Sequence, residues 1–100
     1  MRYSFYRTVV KTLKDKTYTR YPIYIRRIKM SDFGECELDK KNKRFIIHIN
    51  RKLAQSIAIE IVIHEIGHVL AWGKDKQDHG RNWGIAYSKV YREYEKAFMK

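Results

Sequence analysis

The chain has 100 residues, which is the length of one small domain and leaves no room for a second core. Its hydrophobic fraction of 44% and charged fraction of 33%, with five Gly and one Pro, exclude a disordered or low-complexity chain. The 22 Lys and Arg residues outnumber the 11 Asp and Glu residues and leave a formal net charge of +11, so we expect a polyanionic or acidic partner.

Cysteine content and hydropathy restrict the site chemistry and the compartment. The single cysteine, Cys36, excludes an intramolecular disulfide and a zinc site built from several cysteines, so any metal has His, Asp or Glu ligands. No apolar run approaches the roughly 20 residues of a membrane-spanning helix, and the first residues lack the features of a secretory signal. We therefore expect a soluble protein of the cytoplasm.

Hydrophobic periodicity predicts six elements in the order helix, three strands, helix, helix. The run that precedes Gly73 is almost uniformly apolar, which predicts a helix buried on most of its circumference. No linker or internal repeat interrupts the chain, so residues 1–100 are predicted to form a single α+β domain. The predicted bounds are 2–14 for the first helix, 21–30, 32–39 and 44–49 for the strands, with the last two as a hairpin, and 53–72 and 81–98 for the remaining helices.

The buried helix carries the motif H-E-x-x-H as His64, Glu65 and His68. Residues four apart lie one helical turn from each other, so both imidazoles can bind one metal ion from the same face. Glu65 is offset from that face, where its carboxylate can exchange a proton with a water molecule. A chance occurrence is the alternative, but it would leave polar groups in an apolar helix at roughly 1 to 3 kcal/mol for each unsatisfied one.

A catalytic zinc ion needs a third protein ligand and an open position. His79 is the leading candidate, because it lies in the turn that precedes the last helix and is followed by Gly80. Glu93 and Glu95 are the competing candidates, although basic neighbours make them more typical of a solvated helix face.

HEIGH, a short loop and then His79-Gly80-x-x-Trp83 resemble the SprT-like zinc metallopeptidases, which include the protease domain of Spartan. The similarity covers roughly residues 44–94 and suggests a minimal member of the kind that phages encode, acting in the host cytoplasm. It implies a minimal zincin-like fold and one zinc ion held by His64, His68 and His79. It also implies Glu65 as the catalytic base in hydrolysis of peptide bonds, with DNA-associated proteins as substrates.

Further residues are candidates for supporting roles. Tyr87 or Tyr91, one turn apart on the last helix, is a candidate to stabilise an oxyanion, with core packing as the alternative. Asp78 is a candidate to orient a metal ligand, or else to cap the last helix. Three clusters of basic residues near the strands, interleaved with tyrosines, are candidates for DNA binding, with a solvated surface as the alternative. The third cluster is Arg51 and Lys52, and the first two supply the candidate DNA-binding residues Arg26, Arg27, Lys29, Lys40, Lys41, Lys43 and Arg44.

Two hypotheses of function follow. The first is a zinc metalloendopeptidase that acts on a protein or peptide substrate, with DNA bound through the basic residues 1–52, which carry 15 Lys and Arg against 5 Asp and Glu. The alternative is a basic nucleic-acid-binding module with a structural zinc site and no turnover. Glu65 distinguishes them, because hydrolysis requires its carboxylate and a structural site does not.

Overall fold

The computed structural model describes residues 4–77 and 79–99. Within these residues the elements follow one another as helix, three strands, helix, helix, so the predicted α+β layout is confirmed. The helix bounds agree with the sequence periodicity to within two residues at the ends that are described. The elements are α1 (Ser4–Lys16), β1 (Ile23–Ile28), β2 (Gly34–Asp39), β3 (Arg44–Asn50), α2 (Gln55–Leu70) and α3 (Arg81–Phe98).

The strands form a mixed sheet in the order β1-β3-β2. β3 is the central strand. Its alternate side chains are apolar and buried against the helices, namely Phe45, Ile47 and Ile49. It runs parallel to β1 and antiparallel to β2, so the predicted hairpin is confirmed. Among the described residues, β1 and β2 each pair with β3 alone, which leaves one free edge on either side of this sheet.

The first two strands are shorter than the periodicity predicts. β1 ends at Ile28 and β2 begins at Gly34, whereas the predicted strands reach residue 30 and start at residue 32. The side chain of Asn50 explains the difference: its amide Nδ2 donates to the carbonyl oxygens of Met30 and Asp32, both at 3.0 Å. These carbonyls therefore bind a side chain instead of a neighbouring strand.

The hydrophobic core lies between the sheet and the three helices, with α2 at its centre. α2 contacts β2 and β3 on one side and α1 and α3 on the other, which explains its apolar sequence. Its first turns are an exception, since Ile57 is 45% exposed, so the helix is buried all round only in its second half. Among residues 4–77 and 79–99, no helix combines the length and the apolar character needed to cross a membrane.

Candidate metal centre

Three histidine side chains meet where the end of α2 faces the segment that leads into α3. His64 and His68 lie one turn apart on α2, and their Nε2 atoms are 3.2 Å apart. His79 reaches the same point from the connecting segment, with its Nε2 atom 3.2 Å from that of His64. The structure therefore brings together the three residues that the sequence selects as metal ligands.

The spacing of these nitrogen atoms fits a tetrahedral metal ion. Zinc binds imidazole nitrogen at about 2.0–2.1 Å, which places two tetrahedral ligands about 3.3 Å apart. Burial, followed by the charges of His68 and His79, lowers the pKa of His64, so this imidazole is neutral at neutral pH and has a lone pair for a metal. The donor set of three imidazoles suits zinc and other divalent transition metals.

The carboxylate of Asp75 holds the segment that carries His79. Its two oxygen atoms accept hydrogen bonds from the backbone N–H groups of Asn82 and Trp83 at 3.1 and 2.9 Å, and from the Asn82 side chain at 2.8 Å. It thereby caps α3 from five residues before Gly80, which occupies the N-cap position and has no side chain to do so. A Cβ atom on Gly80 would lie only 2.7 Å from Asp75 Cγ.

Sequence analysis missed Asp75 because a helix cap is expected immediately before the helix, and not six residues before its first residue. The residue it proposed for this position, Asp78, lies outside the described residues. The signal available in the sequence was weak: an aspartate in a polar loop that precedes a helix without a capping side chain of its own.

Trp83 packs directly against the histidine cluster. Its ring centroid lies 5.0, 5.6 and 4.7 Å from those of His64, His68 and His79, and its Nε1 donates to the backbone carbonyl of His64 at 3.2 Å. This contact depends on Gly67, where a Cβ atom would lie 3.1 Å from the indole nitrogen. The glycine inside the motif therefore allows α3 to approach α2 closely.

Glu65 is buried beneath β2, with 6% of the residue exposed. Burial, with a smaller contribution from the charge of Glu35, raises its pKa to about 7. The carboxylate also lies close to the β2 backbone, since a Cβ atom on Gly34 would be 3.3 Å from Glu65 Oε2 and 2.6 Å from Ile61. Glu65 therefore has a proton affinity suited to acid–base chemistry near neutral pH.

Cys36, two residues along the same edge strand, does not share this property. Burial, and then the charges of Glu65 and Glu37, raises the pKa of the thiol to about 12. A thiol with such a pKa remains protonated at neutral pH, and it is the thiolate that attacks carbonyls or binds metals. Of these side chains, Glu65 and the imidazoles are therefore the candidates for proton transfer and metal binding, and Cys36 is not.

Two other candidate ligands lie elsewhere. Glu93 is on α3 with its carboxylate 3.9 Å from Lys96 Nζ, and Glu95 is exposed on the same helix. The metal-ligand groups found in the described part of the chain include His79 and neither of these glutamates.

The two candidate tyrosines extend an aromatic row along α3. The Tyr87 ring stacks on Trp83, with 5.1 Å between the ring centroids, and the charge of Glu60 on α2 acts on its hydroxyl. Burial and that glutamate raise the pKa of Tyr87. Tyr91 contacts Tyr87, with 5.9 Å between the ring centroids. Both residues thus have packing roles, and oxyanion stabilisation by either one stays a prediction.

The basic residues predicted from the sequence to bind DNA are spread over several surfaces. Lys40, Lys41 and Lys43 are exposed in the turn of the hairpin, Arg26 and Lys29 are exposed at β1, and Arg27 and Arg44 are half-buried. On the outer side of the sheet, His48 Nδ1 lies 2.8 Å from Glu35 Oε2, so this fourth histidine is paired away from the metal centre.

Comparison of the chain with protein-family models, with curated proteins and with solved structures finds no match.

Proposed function

We propose that this protein is a zinc-dependent endopeptidase with a minimal zincin-like fold of the SprT-like kind. One observation carries the proposal: three imidazole nitrogens lie close enough together to share one metal ion, and Glu65, which follows His64 on the same helix, is a buried carboxylate whose pKa is about 7. Burial of a carboxylate costs folding free energy, so a protein that keeps one buried has a use for it. Carboxylates with strongly shifted pKa values are concentrated at functional sites.

In this proposal His64, His68 and His79 hold the ion, and Glu65 handles the proton. Zinc held there would polarise the scissile carbonyl and lower the pKa of a water molecule, so that the water loses a proton more readily as it attacks. Glu65 accepts a proton from the attacking water and then donates it to the leaving amine, so the carboxylate ends the cycle as it began. The charge of a bound cation opposes the burial that raises the Glu65 pKa and favours the ionised base.

The free edge of β2 is suited to align the substrate. β2 pairs with β3 on one side only, so the groups on its other edge can bind an extended peptide. Gly34 brings the start of this strand within contact distance of Glu65. A cavity of about 220 Å³ lined by His68, Trp72 and Trp83 offers room beside the metal centre for a substrate side chain.

The alternative, a nucleic-acid-binding module with a structural zinc site, makes no use of these features. Structural zinc sites are almost always closed by four protein ligands, whereas the group of His64, His68 and His79 supplies three among the described residues. A structural site also has no need for the buried Glu65.

The experiment that tests the proposal is the Glu65→Gln substitution, which keeps the shape of the side chain and removes the base. We expect one zinc ion per chain in both proteins, and a loss of at least about 100-fold in cleavage of a histone substrate, assayed with and without DNA. Glu95→Gln, an exposed change on α3, serves as the matched control and should cleave like the parent. Equal cleavage by the Glu65→Gln protein would contradict the mechanism, and equal inactivity of both parent and variant would favour the structural-zinc alternative.

A further inference from the structure

The free edge of β1 is open to a further strand. The carbonyl oxygens of Pro22 and Ile28 each accept a hydrogen bond at 2.9 Å from a backbone N–H on the β3 side. The backbone polar groups of successive residues in a strand point to opposite edges, so those of Ile23 and Ile25 point away from β3. Among residues 4–77 and 79–99, β1 pairs with no strand other than β3. These N–H and C=O groups are therefore able to pair with an extended chain.

A cleft of about 470 Å³ adjoins this edge between β1 and α1. Val10 of the helix and Ile25 of the strand give it an apolar part, and it shares no lining residue with the metal centre. A separate cavity of about 360 Å³ is lined by Ile23 and Tyr24, whose side chains lie on opposite faces of β1. Open space therefore lies along the edge of the strand as well as beside α1.

The helix side of the cleft presents a row of cations. Arg7, Lys11 and Lys14 are spaced four and three residues apart, so they share one face of α1 and span about 10 Å along its axis. All three are exposed, and no ion pair within the described part of the chain involves any of them. Like charges at this spacing repel one another, and a bound anionic ligand relieves that repulsion.

Arg27 adds a cation from the strand side of the cleft. Its Nη2 donates to the carbonyl oxygen of Arg51 at 2.6 Å, and its guanidinium lies 5.8 Å from the centre of the Tyr6 ring. These contacts orient the guanidinium in advance, which reduces the entropy lost when an anion binds. Asp15 is the one acidic residue among those that line the cleft, so the cleft carries a net positive charge.

We propose that β1 and α1 form a docking site for an acidic peptide, which pairs with the free edge of β1 and places its carboxylates against the cations of α1. An added strand directs every second side chain to the α1 side, at a repeat of about 6.6 Å. Acidic residues at alternate positions therefore meet the row of cations. The strand edge favours a peptide over DNA, because a phosphodiester backbone has acceptors but no donors for the carbonyl groups of β1.

The charge of the other free edge separates this docking site from the edge proposed to align the substrate. β2 carries three acidic residues among its six, Glu35, Glu37 and Asp39, and no Lys or Arg. Like charges opposite each other on neighbouring strands are destabilising, so an acidic peptide is directed to β1 and away from β2. The docking site therefore does not depend on the proposed peptidase activity.

The test measures the fluorescence anisotropy of a labelled peptide of about nine residues, in which Glu alternates with Thr, at about 50 and 200 mM salt. The Glu65→Gln protein is used, so the result is the same whether or not the parent is a peptidase. Replacing both Lys11 and Lys14 by Ala should weaken binding about tenfold at the lower salt concentration and less at the higher one. Replacing both Lys40 and Lys41 by Ala removes the same charge outside the cleft and should change affinity less than about twofold.

Backbone pairing is tested with two further peptides, one N-methylated at its Glu residues and the other at its Thr residues. Alternate residues of a strand bond to opposite edges, so each peptide loses the donors of one edge only. One of the two should bind at least about tenfold more weakly than the other, because its methyl groups remove hydrogen bonds to β1. Equal binding of the two would mean that charge alone holds the peptide, and would overturn the proposal.

Three other results would also overturn it. The first is an equal loss of affinity in the Lys40 and Lys41 variant. The second is a larger loss for an oligothymidylate of the same charge than for the peptide in the Lys11 and Lys14 variant, which would assign the cleft to nucleic acid. The third is self-association of the unliganded protein, measured by sedimentation velocity, that the Lys11 and Lys14 changes abolish, which would assign the cleft to a second copy of the chain.

Discussion

Asp75 is the residue on which the position of His79 depends most directly. Two of the candidate ligands, His64 and His68, lie on a regular helix and are held by its geometry, whereas His79 is exposed and lies in a connecting segment. Asp75 ties that segment to the start of α3 through Asn82 and Trp83, and Trp83 in turn packs on the imidazoles. It acts on the metal centre through other residues and is a positioning residue.

We expect Asp75→Ala to weaken zinc binding by about 10- to 100-fold, as loss of a residue that orients a ligand typically does. Competition with a chromogenic chelator measures this affinity. Asp75→Asn keeps one side-chain carbonyl oxygen as a hydrogen-bond acceptor and should recover part of the lost zinc affinity. Asp32→Ala, an exposed change in another loop, should bind zinc like the parent. Unaltered affinity in Asp75→Ala would show that His79 is positioned without it.

The same substitution has a predicted signature in the pH dependence of folding. Partial burial acts to raise the pKa of Asp75, but the hydrogen bonds from Asn82 and Trp83 outweigh it and lower the pKa below its ordinary value of 3.8. The ionised Asp75 therefore stabilises the fold fully at a pH above the pKa that this side chain has in the unfolded chain. This stabilisation is lost as the pH falls through the lower pKa of Asp75 in the folded chain. Urea denaturation of the chelated protein should show a smaller loss of stability in this acid range for Asp75→Ala than for the parent.

At the scale of elements, the contact between α2 and α3 is set by a glycine. A Cβ atom at Gly67 would lie 3.1 Å from the Trp83 indole nitrogen and 3.3 Å from the backbone Cα of Tyr87. The backbone of a packed helix cannot move aside as a flexible side chain can, so a larger residue at Gly67 must push the helices apart. The glycine lowers the intrinsic helix propensity of α2 in exchange for this contact.

The prediction for this contact compares two glycines in helices. Gly67→Ala should destabilise the fold by roughly 1 kcal/mol, because the overpacking exceeds the gain of about 1 kcal/mol in helix propensity. Gly84→Ala has open space around its new Cβ atom and should stabilise the fold by about 0.5 to 1 kcal/mol. Urea unfolding of both variants provides the measurement. If Gly67→Ala instead stabilised the fold, α2 and α3 would be able to move apart without a cost in folding free energy, which would contradict this prediction.

At the scale of the whole molecule, a metal ion bound by the three histidines would add a direct link between the central helix and the segment before α3. His64 and His68 belong to the central helix, while His79 belongs to the exposed segment before α3. A ligand that binds only the folded chain stabilises it by mass action, by about 4 kcal/mol when its free concentration is a thousand times its Kd. Zinc is therefore expected to stabilise the fold as well as to support catalysis.

We expect zinc to raise the Tm of the chelated protein by at least about 10 °C, given that 1 kcal/mol corresponds to roughly 4–8 °C in a domain of this size. His79→Ala should lose most of this shift, as His68→Ala should. Glu93→Ala and Glu95→Ala should keep it. Differential scanning calorimetry gives all five values. If the shift survives in His79→Ala and disappears in either glutamate variant, the third ligand is a glutamate.

The tertiary structure also shows where the excess of positive charge lies on the molecule. Residues 1–52 contain nearly all of the net positive charge of +11, and they form α1 and the sheet. Folding places part of this charge in the hairpin turn, where Lys40, Lys41 and Lys43 are exposed, and part in the cleft between α1 and β1. The cations of the cleft surround a cavity, and this concentrates the positive potential where a ligand can enter.

Periodicity predicts the helices, the hairpin and the order of the elements, because each depends on residues close together in sequence. His64 and His68 are predictable for the same reason, since the pitch of one helix determines their separation. By contrast, nothing local indicates that Asn50 ends β1 early, or that Asp75 caps a helix six residues ahead. These features depend on contacts that form only once the chain has folded.

The sequence by itself thus determined the element order, the pair of helical histidines with Glu65 between them, and the excess of positive charge. The tertiary structure alone decided that His79 completes the group, that β2 is the edge strand beside Glu65, and that α1 and β1 enclose a cleft lined by cations. The physical reason is one of range. Helical pitch and strand alternation act over a few residues, whereas a ligand set, a sheet edge and a cleft are made by residues that only packing brings together.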